Sequence, residues 1–407
     1  MTHYEKEPSS GGLEVGRGGP IRVLVVDDSH VMRHVLRLIL ESDTGIRVVG
    51  EARNGQEALE QARLLQPNVI TMDVRMPVLD GLATTEQLMA FQPTPILAVT
   101  GSLASAEVDI AFRMLAAGAL DVVETPELHN QGALDSYRLM LIRRVKLLAG
   151  MRVVTHLRGR RSARRSADEP ASPQPETVAR RLLPAPAEPV THWSERVGGR
   201  SQLEQARTPQ RPTRERQVPF PVVVIGSSAG GPRAVQHILN VLPAALPAAI
   251  VIAQHIAEGF SAGFADWLNG NSALQVQVAQ EQTVLKPGVV VLADDGCDMV
   301  VSQDYSVMLR RVSGVSQRPR PSVDLLMESA AEVFGRHTIG VLLSGMGRDG
   351  AVGLQRIRQQ GGYTLAQNEA TCPIYGMPRA AIELGVVDAI LTPDAIAQAI
   401  RERLGIY

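Results

Sequence analysis

The chain has 407 residues, with 41 Lys plus Arg against 42 Asp plus Glu and a formal net charge of −1. That balance excludes global steering toward nucleic acid or an anionic membrane, and two cysteines, Cys297 and Cys372, exclude a disulfide framework and fit a reducing cytoplasm. The length predicts two or three domains, and a hydrophobic content of 44% predicts that most of the chain is globular.

Residues 1–20 are polar and glycine-rich, which predicts a disordered tail without the apolar core of a signal peptide. From 21 to 148, strand-like runs at Arg22–Val26, Arg47–Gly50, Val69–Asp73, Ile96–Thr100 and Leu120–Val123 alternate with helical patterns. Five βα repeats predict a doubly wound, flavodoxin-like parallel sheet. Residues 149–219 then read as a disordered linker, into whose first residues the preceding helix is expected to run on. Positions 151–220 hold 14 Arg, no Lys, 7 Asp plus Glu and nine Pro, a composition that cannot bury enough surface to order itself. From 220 to 407 the alternation resumes, with strands expected at Val222–Ile225, Ala249–Ala253, Val289–Leu292, Val300–Ser302, Ser306–Leu309, Thr338–Leu343 and Thr364–Ala366. Helices are expected at 232–242, 322–335, 351–360 and 394–404. The short strands around 289–310 predict an antiparallel hairpin region in a second, mostly parallel α/β domain. The most apolar stretch, 241–253, carries two prolines and falls below the about 18 residues of a membrane span.

Chemistry gathers at two sets of strand ends. Asp27 and Asp28 follow the first strand and Asp73 ends the third, where parallel sheets build their sites. Three carboxylates brought together repel one another, and a hard cation such as Mg²⁺ relieves that repulsion. With a cation present, Asp73 is placed to attack a phosphoryl group. The run "VLVVDDS…MDVRMPVLDG…AVTGS" resembles the receiver domain of bacterial response regulators. The resemblance implies that Asp73 is the phosphoacceptor, that Asp27, Asp28 and Asp73 hold Mg²⁺, that Thr100 is the switch hydroxyl and that a histidine kinase is the phosphodonor. It departs from the pattern at Thr125, which stands before Pro126 where receivers carry Lys. Coupling of phosphorylation to conformation is therefore expected to be weaker, with Arg75 as the substitute cation or a plain surface residue.

In the C-terminal part, "VVVIGSSAGGPRAV" lacks the Lys of a phosphate loop and the spacing of a dinucleotide fingerprint. What remains is Gly-x-Ser-x-Gly over Gly226, Ser228 and Gly230, a strand-to-helix turn that exposes a serine beside a helix N-terminus; a plain turn with capping serines is the alternative. A serine nucleophile needs a base and the base an orienting group. His255 follows the next apolar strand, and Asp349 lies in the strand-to-helix turn "GVLLSGMGRDGAVG".

Together with "AQHIAEGF", "RPRPSVDLLMESAAEVFG", "VLLSGMGRDGA" and "AQNEATCPIYGMPRAAIELGVVD", these motifs resemble the chemotaxis protein-glutamate methylesterases. The resemblance implies a cytoplasmic, phosphorylation-regulated hydrolase that cleaves glutamate methyl esters on the cytoplasmic domain of methylated chemoreceptors, with possible deamidation of receptor glutamines. It implies Ser228 as nucleophile, His255 as base, Asp349 as orienter, Met346 and Gly347 as the oxyanion region, no cofactor for the esterase, no nucleic-acid partner and no direct membrane insertion. It also implies that the unphosphorylated receiver covers the esterase cleft. Ala229 stands where the family has Thr, and Asp298 where it tends to have His. The competing readings are a non-catalytic signalling adaptor and a general serine esterase for small molecules.

Overall fold

The computed structural model describes residues 19–101, 105–126, 131–151, 153, 218–311 and 320–406. The expected tail lies outside them except for residues 19 and 20, as does all of the expected linker but its first few and last residues.

Five strands form an all-parallel sheet in the order β2-β1-β3-β4-β5: β1 (Ile21–Val26), β2 (Ile46–Ala52), β3 (Val69–Asp73), β4 (Ile96–Thr100) and β5 (Asp121–Glu124). Between and after them run α1 (His30–Glu41), α2 (Gly55–Leu65), α3 (Gly81–Phe91), α4 (Ser105–Ala117) and α5 (Gln131–Ala149). Helices on both faces bury the middle of the sheet, which is why β1 carries the aliphatic run Val23–Val26, at most 1% exposed. The first three helices start where a side-chain oxygen accepts an otherwise unpaired amide: Ser29 from Met32, Asn54 from Glu57 and Asp80 from Ala83. The last helix stops at Ala149, so the expected run-on of this helix toward residue 157 is not observed among the described residues.

The second sheet has seven parallel strands in the order β14-β13-β12-β6-β7-β9-β8. In chain order its elements are β6 (Val222–Ser227), α6 (Gly231–Val241), β7 (Ala249–Gln254), α7 (Ser261–Asn271), β8 (Gln275–Val278) and β9 (Val289–Leu292). Then come β10 (Cys297–Val301), β11 (Val307–Arg311), α8 (Val323–Phe334), β12 (Thr338–Leu342), α9 (Ala351–Gln359) and β13 (Tyr363–Gln367). The chain closes with α10 (Met377–Glu383), β14 (Ala389–Leu391) and α11 (Pro393–Arg403).

The hairpin expectation is corrected in part. β10 and β11 pair antiparallel as a separate two-stranded sheet, but Val289–Leu292 lies between β7 and β8 in the parallel sheet. Four consecutive apolar residues carry no period that tells a hairpin strand from a buried parallel one. Among the described residues no helix is long and apolar enough to cross a membrane.

The described residues on the two sides of 163–217 belong to one compact unit. Helix α4 lies against α7, and the fully buried Phe112 ring stacks 5.1 Å from Phe264 and 5.5 Å from Trp267, with Phe260 edge-on at 6.4 Å. Gly263 permits this approach, because a Cβ there would lie 2.0 Å from Val108 Cγ1.

Candidate active site

β6 is the strand at which the C-terminal sheet changes direction: β7 follows on one side, and β12 returns on the other. Side chains beyond the carboxyl ends of these three strands therefore share one crevice. Ser228 is the first residue after β6, and His255 the first after β7. The β6–β7 register pairs Ser227 with Gln254, which sets the two next residues side by side. Asp349 lies in the turn between β12 and α9.

The Ser228 turn is held on every side. The Ser228 amide donates to Ser344 O at 2.9 Å and the Gly231 amide to Ser228 O at 2.8 Å. Gly230, the N-cap of α6, has φ of 75°, and a Cβ there would meet Ser344 Oγ at 2.8 Å. Both the left-handed backbone and the crowding call for glycine. Gln254, which the sequence reading did not single out, ties the two strand ends together. Its amide nitrogen donates to Ser228 O at 2.9 Å and His255 O at 3.0 Å, and its oxygen accepts Ser227 Oγ at 2.5 Å. Its place directly before His255 at a strand end was the available signal.

His255 Nε2 bonds Asp349 Oδ2 at 2.9 Å, with the two side chains 10% and 14% exposed. The same carboxylate accepts the N-terminal amides of α8, Val323 N at 2.8 Å and Asp324 N at 3.0 Å, and Ser322 Oγ at 3.3 Å. Burial works to raise the Asp349 carboxyl, but the His255 ring and these amides outweigh it and hold the group below the usual carboxylate range. It is ionised where His255 needs a counter-charge. Ser228 Oγ makes no hydrogen bond to the ring among the described residues, as is common before substrate is bound. Met346 and Gly347 form the neighbouring loop: Gly347 has φ of 91°, and Gly345 O beside them accepts Gly376 N and Met377 N. Ala229, next to Ser228, is buried. Asp298 accepts Ser322 N at 2.8 Å and so steadies the N-cap of α8.

At the other sheet, Asp27 and Asp28 follow β1 and Asp73 ends β3, on the two sides of that sheet's own reversal. One oxygen from each carboxylate lies within 4.8 Å of the others. Burial pushes Asp27 up to about 6, and burial together with the Asp27 charge pushes Asp73 up to about 7. An all-oxygen, mutually repelling set fits a hard divalent cation. Thr100 ends β4, and the Thr125 amide donates to Thr100 O at 2.9 Å, which puts Thr125 beside it. Thr100 Oγ1 donates to Glu107 Oε2 at 3.2 Å, and Arg75 Nε pairs with Glu107 Oε1 at 3.3 Å. Arg75 is thus engaged by α4, and Glu107 is a further residue of this pocket that the sequence reading did not single out.

A hydrogen bond joins the two sheet domains: the Gly230 amide, beside the Ser228 turn, donates to Leu120 O at 2.9 Å, at the amino end of β5.

A family model described as CheB methylesterase matches residues 223–400, and one described as response regulator receiver domain matches residues 23–131. A protein-glutamate methylesterase/protein-glutamine glutaminase 2 of Anaeromyxobacter dehalogenans (strain 2CP-C) is 40% identical over 392 residues, which cover 95% of this chain and 98% of that protein. A protein-glutamate methylesterase/protein-glutamine glutaminase of Symbiobacterium thermophilum is 37% identical over 390 residues, with coverages of 95% and 98%. Among solved structures, the Thermotoga maritima CheB methylesterase catalytic domain matches at 36% identity and a TM-score of 0.44, covering 46% of this chain and 100% of its own.

Proposed function

Since the chain belongs to the family of receiver-linked CheB methylesterases, we propose that it hydrolyses glutamate methyl esters on the cytoplasmic part of chemoreceptors, under control of phosphorylation at Asp73. The observation that carries this reading is the convergence of Ser228, His255 and Asp349 on adjoining strand ends, with His255 and Asp349 already bonded.

His255 Nε2 is committed to Asp349, so Nδ1 is the nitrogen that takes the Ser228 proton. Ser228 Oγ then attacks the ester carbonyl, and backbone amides of the Met346–Gly347 loop hold the oxyanion, each such donor being worth about 3 kcal/mol. The tetrahedral centre collapses to an acyl-serine and methanol leaves with the proton from His255. Water, deprotonated by the same imidazole, cleaves the acyl-serine and restores a glutamate carboxylate. The same steps with ammonia as leaving group deamidate a receptor glutamine. Methanol release from purified methylated receptor tests the assignment: a small-molecule esterase leaves that substrate untouched, and an adaptor shows no turnover at all.

Asp27, Asp28 and Asp73 would hold Mg²⁺, which when bound offsets the negative charge of the three carboxylates and of an incoming phosphoryl group. Asp73 is the phosphoacceptor, supplied by a histidine kinase, and Thr100 is the hydroxyl that meets the phosphoryl group. Thr125 brings no cation to this pocket. A Lys at that position makes a charge-assisted hydrogen bond of about 1.5–3 kcal/mol to a phosphoryl oxygen. Thr125→Lys is therefore expected to raise the fold-stimulation of methanol release by a small-molecule phosphodonor about tenfold over wild type. Asp73→Asn is expected to abolish stimulation. Equal stimulation of wild type and Thr125→Lys contradicts the weak coupling, and undiminished stimulation of Asp73→Asn contradicts the phosphoacceptor.

A further inference from the structure

The stretch "RPRPSVDLL" supplies none of the reacting groups above, yet its Asp324 lies directly against them. Asp324 Oδ1 accepts two amides, Gly350 N at 2.8 Å and Gly353 N at 2.7 Å. These belong to the N-terminus of α9, whose N-cap is Gly350, a residue with no side chain to close its own helix. In return, the Asp324 amide donates to Asp349 Oδ1, so the residue just before α9 closes the N-terminus of α8. Two adjoining helices thus cap one another through a pair of aspartates, and the second aspartate is the orienter of His255. The helices are held close at this point, since a Cβ on Gly353 would lie 3.1 Å from Asp324 Cα.

We propose that Asp324 is a positioning residue for the Ser228–His255–Asp349 group: by fastening the α9 N-terminus to α8, it keeps the Asp349 carboxylate aimed at His255. This rests on the triad reading given above. Asp349 stands immediately before the amides that Asp324 holds, so release of Gly350 frees the backbone that carries the orienting carboxylate. The arrangement sets one buried carboxylate against another. Burial pushes Asp324 up to about 6, and the Asp349 charge adds to that shift against the hydrogen bonds from the two glycine amides. The charged or titratable groups facing it are Asp349, His255 behind Asp349, and Asp298 across Ser322. A neutral oxygen would satisfy the same two amides without like-charge repulsion, which makes the clamp separable from the charge by substitution.

The test compares wild type, Asp324→Ala and Asp324→Asn in the full chain, with the folded fraction of each measured by circular dichroism. Asp324→Ser, too short to span both amides, replaces the Ala variant if that one does not fold. Two readouts are taken: kcat and KM for methanol release from methylated receptor, and the hydrogen-bonded ring N–H proton of His255 in ¹⁵N-histidine-labelled protein. Asp324→Ala is expected to lose about 100-fold in kcat with KM nearly unchanged, as a displaced catalytic group does, and to lose the His255 N–H signal. Asp324→Asn is expected to keep kcat within about threefold and to keep the signal, because its Oδ1 still accepts both amides. The inference is overturned by an Ala (or Ser) variant that retains kcat and signal, by a loss that merely follows the unfolded fraction, or by Ala and Asn variants that fail alike. Absence of methanol release by wild type sinks the proposed function instead, while the N–H comparison still decides the role of Asp324.

Discussion

Ser228→Ala and His255→Ala are each expected to lower kcat for methanol release by about 10⁵-fold or more, with the double variant hardly worse than either. The nucleophile and its base act as one unit: without the imidazole the hydroxyl keeps its proton, and without the hydroxyl there is nothing for the imidazole to activate. Asp349→Ala is expected to differ from both in kind. It removes the counter-charge of His255 and also leaves the Val323 and Asp324 amides at the α8 N-terminus unpaired. Orphaned buried donors cost about 1–3 kcal/mol each, so this variant loses stability as well as turnover. Ser228→Ala removes only a hydroxyl that makes no bond to the ring, and its melting temperature is expected to stay at the wild-type value. Turnover by Ser228→Ala comparable to wild type, with Ser227→Ala inactive instead, contradicts the nucleophile assignment. Two losses that simply multiply in the double variant contradict His255 as its base.

Phe112→Ala is expected to raise the methanol-release rate of the unphosphorylated protein and to abolish most of its stimulation by phosphodonor. Phe112 belongs to α4 yet is buried among Phe260, Phe264 and Trp267 at α7. Removal of a buried Phe side chain costs about 3–5 kcal/mol. If most of that belongs to the contact between the two halves, the docked state loses about 100-fold in population. The contact is expected to restrain turnover because docking brings Leu120 O onto the Gly230 amide, at the helix N-terminus beside the nucleophile turn. It is tied to the phosphoryl pocket through α4 itself, whose Glu107 takes the Thr100 hydroxyl and pairs with Arg75. A phosphoryl group on Asp73 adds negative charge beside Glu107 and competes for the same hydroxyl. Gly263→Ala probes the seam from the other side, since its Cβ would collide with Val108; it is expected to act in the same direction without touching the acidic cluster. Rates in the two variants, with and without phosphodonor, decide the matter. Unchanged or lower basal rates in both show that this contact does not restrain the enzyme.

Much of this protein was determined locally by its sequence. Strands covered on both faces are mostly aliphatic runs, and those read at Val222–Ile225 and Val69–Asp73 were legible because burial of both faces leaves no strict polar alternation; the first extends to Ser227 in the structure. The residues at their ends inherit their place from the sheet: Asp27, Asp28 and Asp73 meet at one edge, and Ser228 and His255 stand side by side at another, while Asp349 reaches His255 from the turn beyond β12. Elements without a strong local period were not legible. Helix α7, "SAGFADWLNGN", is absent from the helices expected from the sequence: it carries two glycines and two asparagines, and it is helical because Phe264, Trp267 and Leu268 are buried. Only the tertiary structure decided what holds the site. Asp349 receives its amides from the start of α8 and its clamp from Asp324, and Gln254 meets the Ser228 carbonyl across a strand pair. Phe112 has no sequence mark that separates it from an ordinary core residue of α4. Its partners on α7 lie across the 149–219 stretch, and no periodicity within either segment records which surface the other will meet.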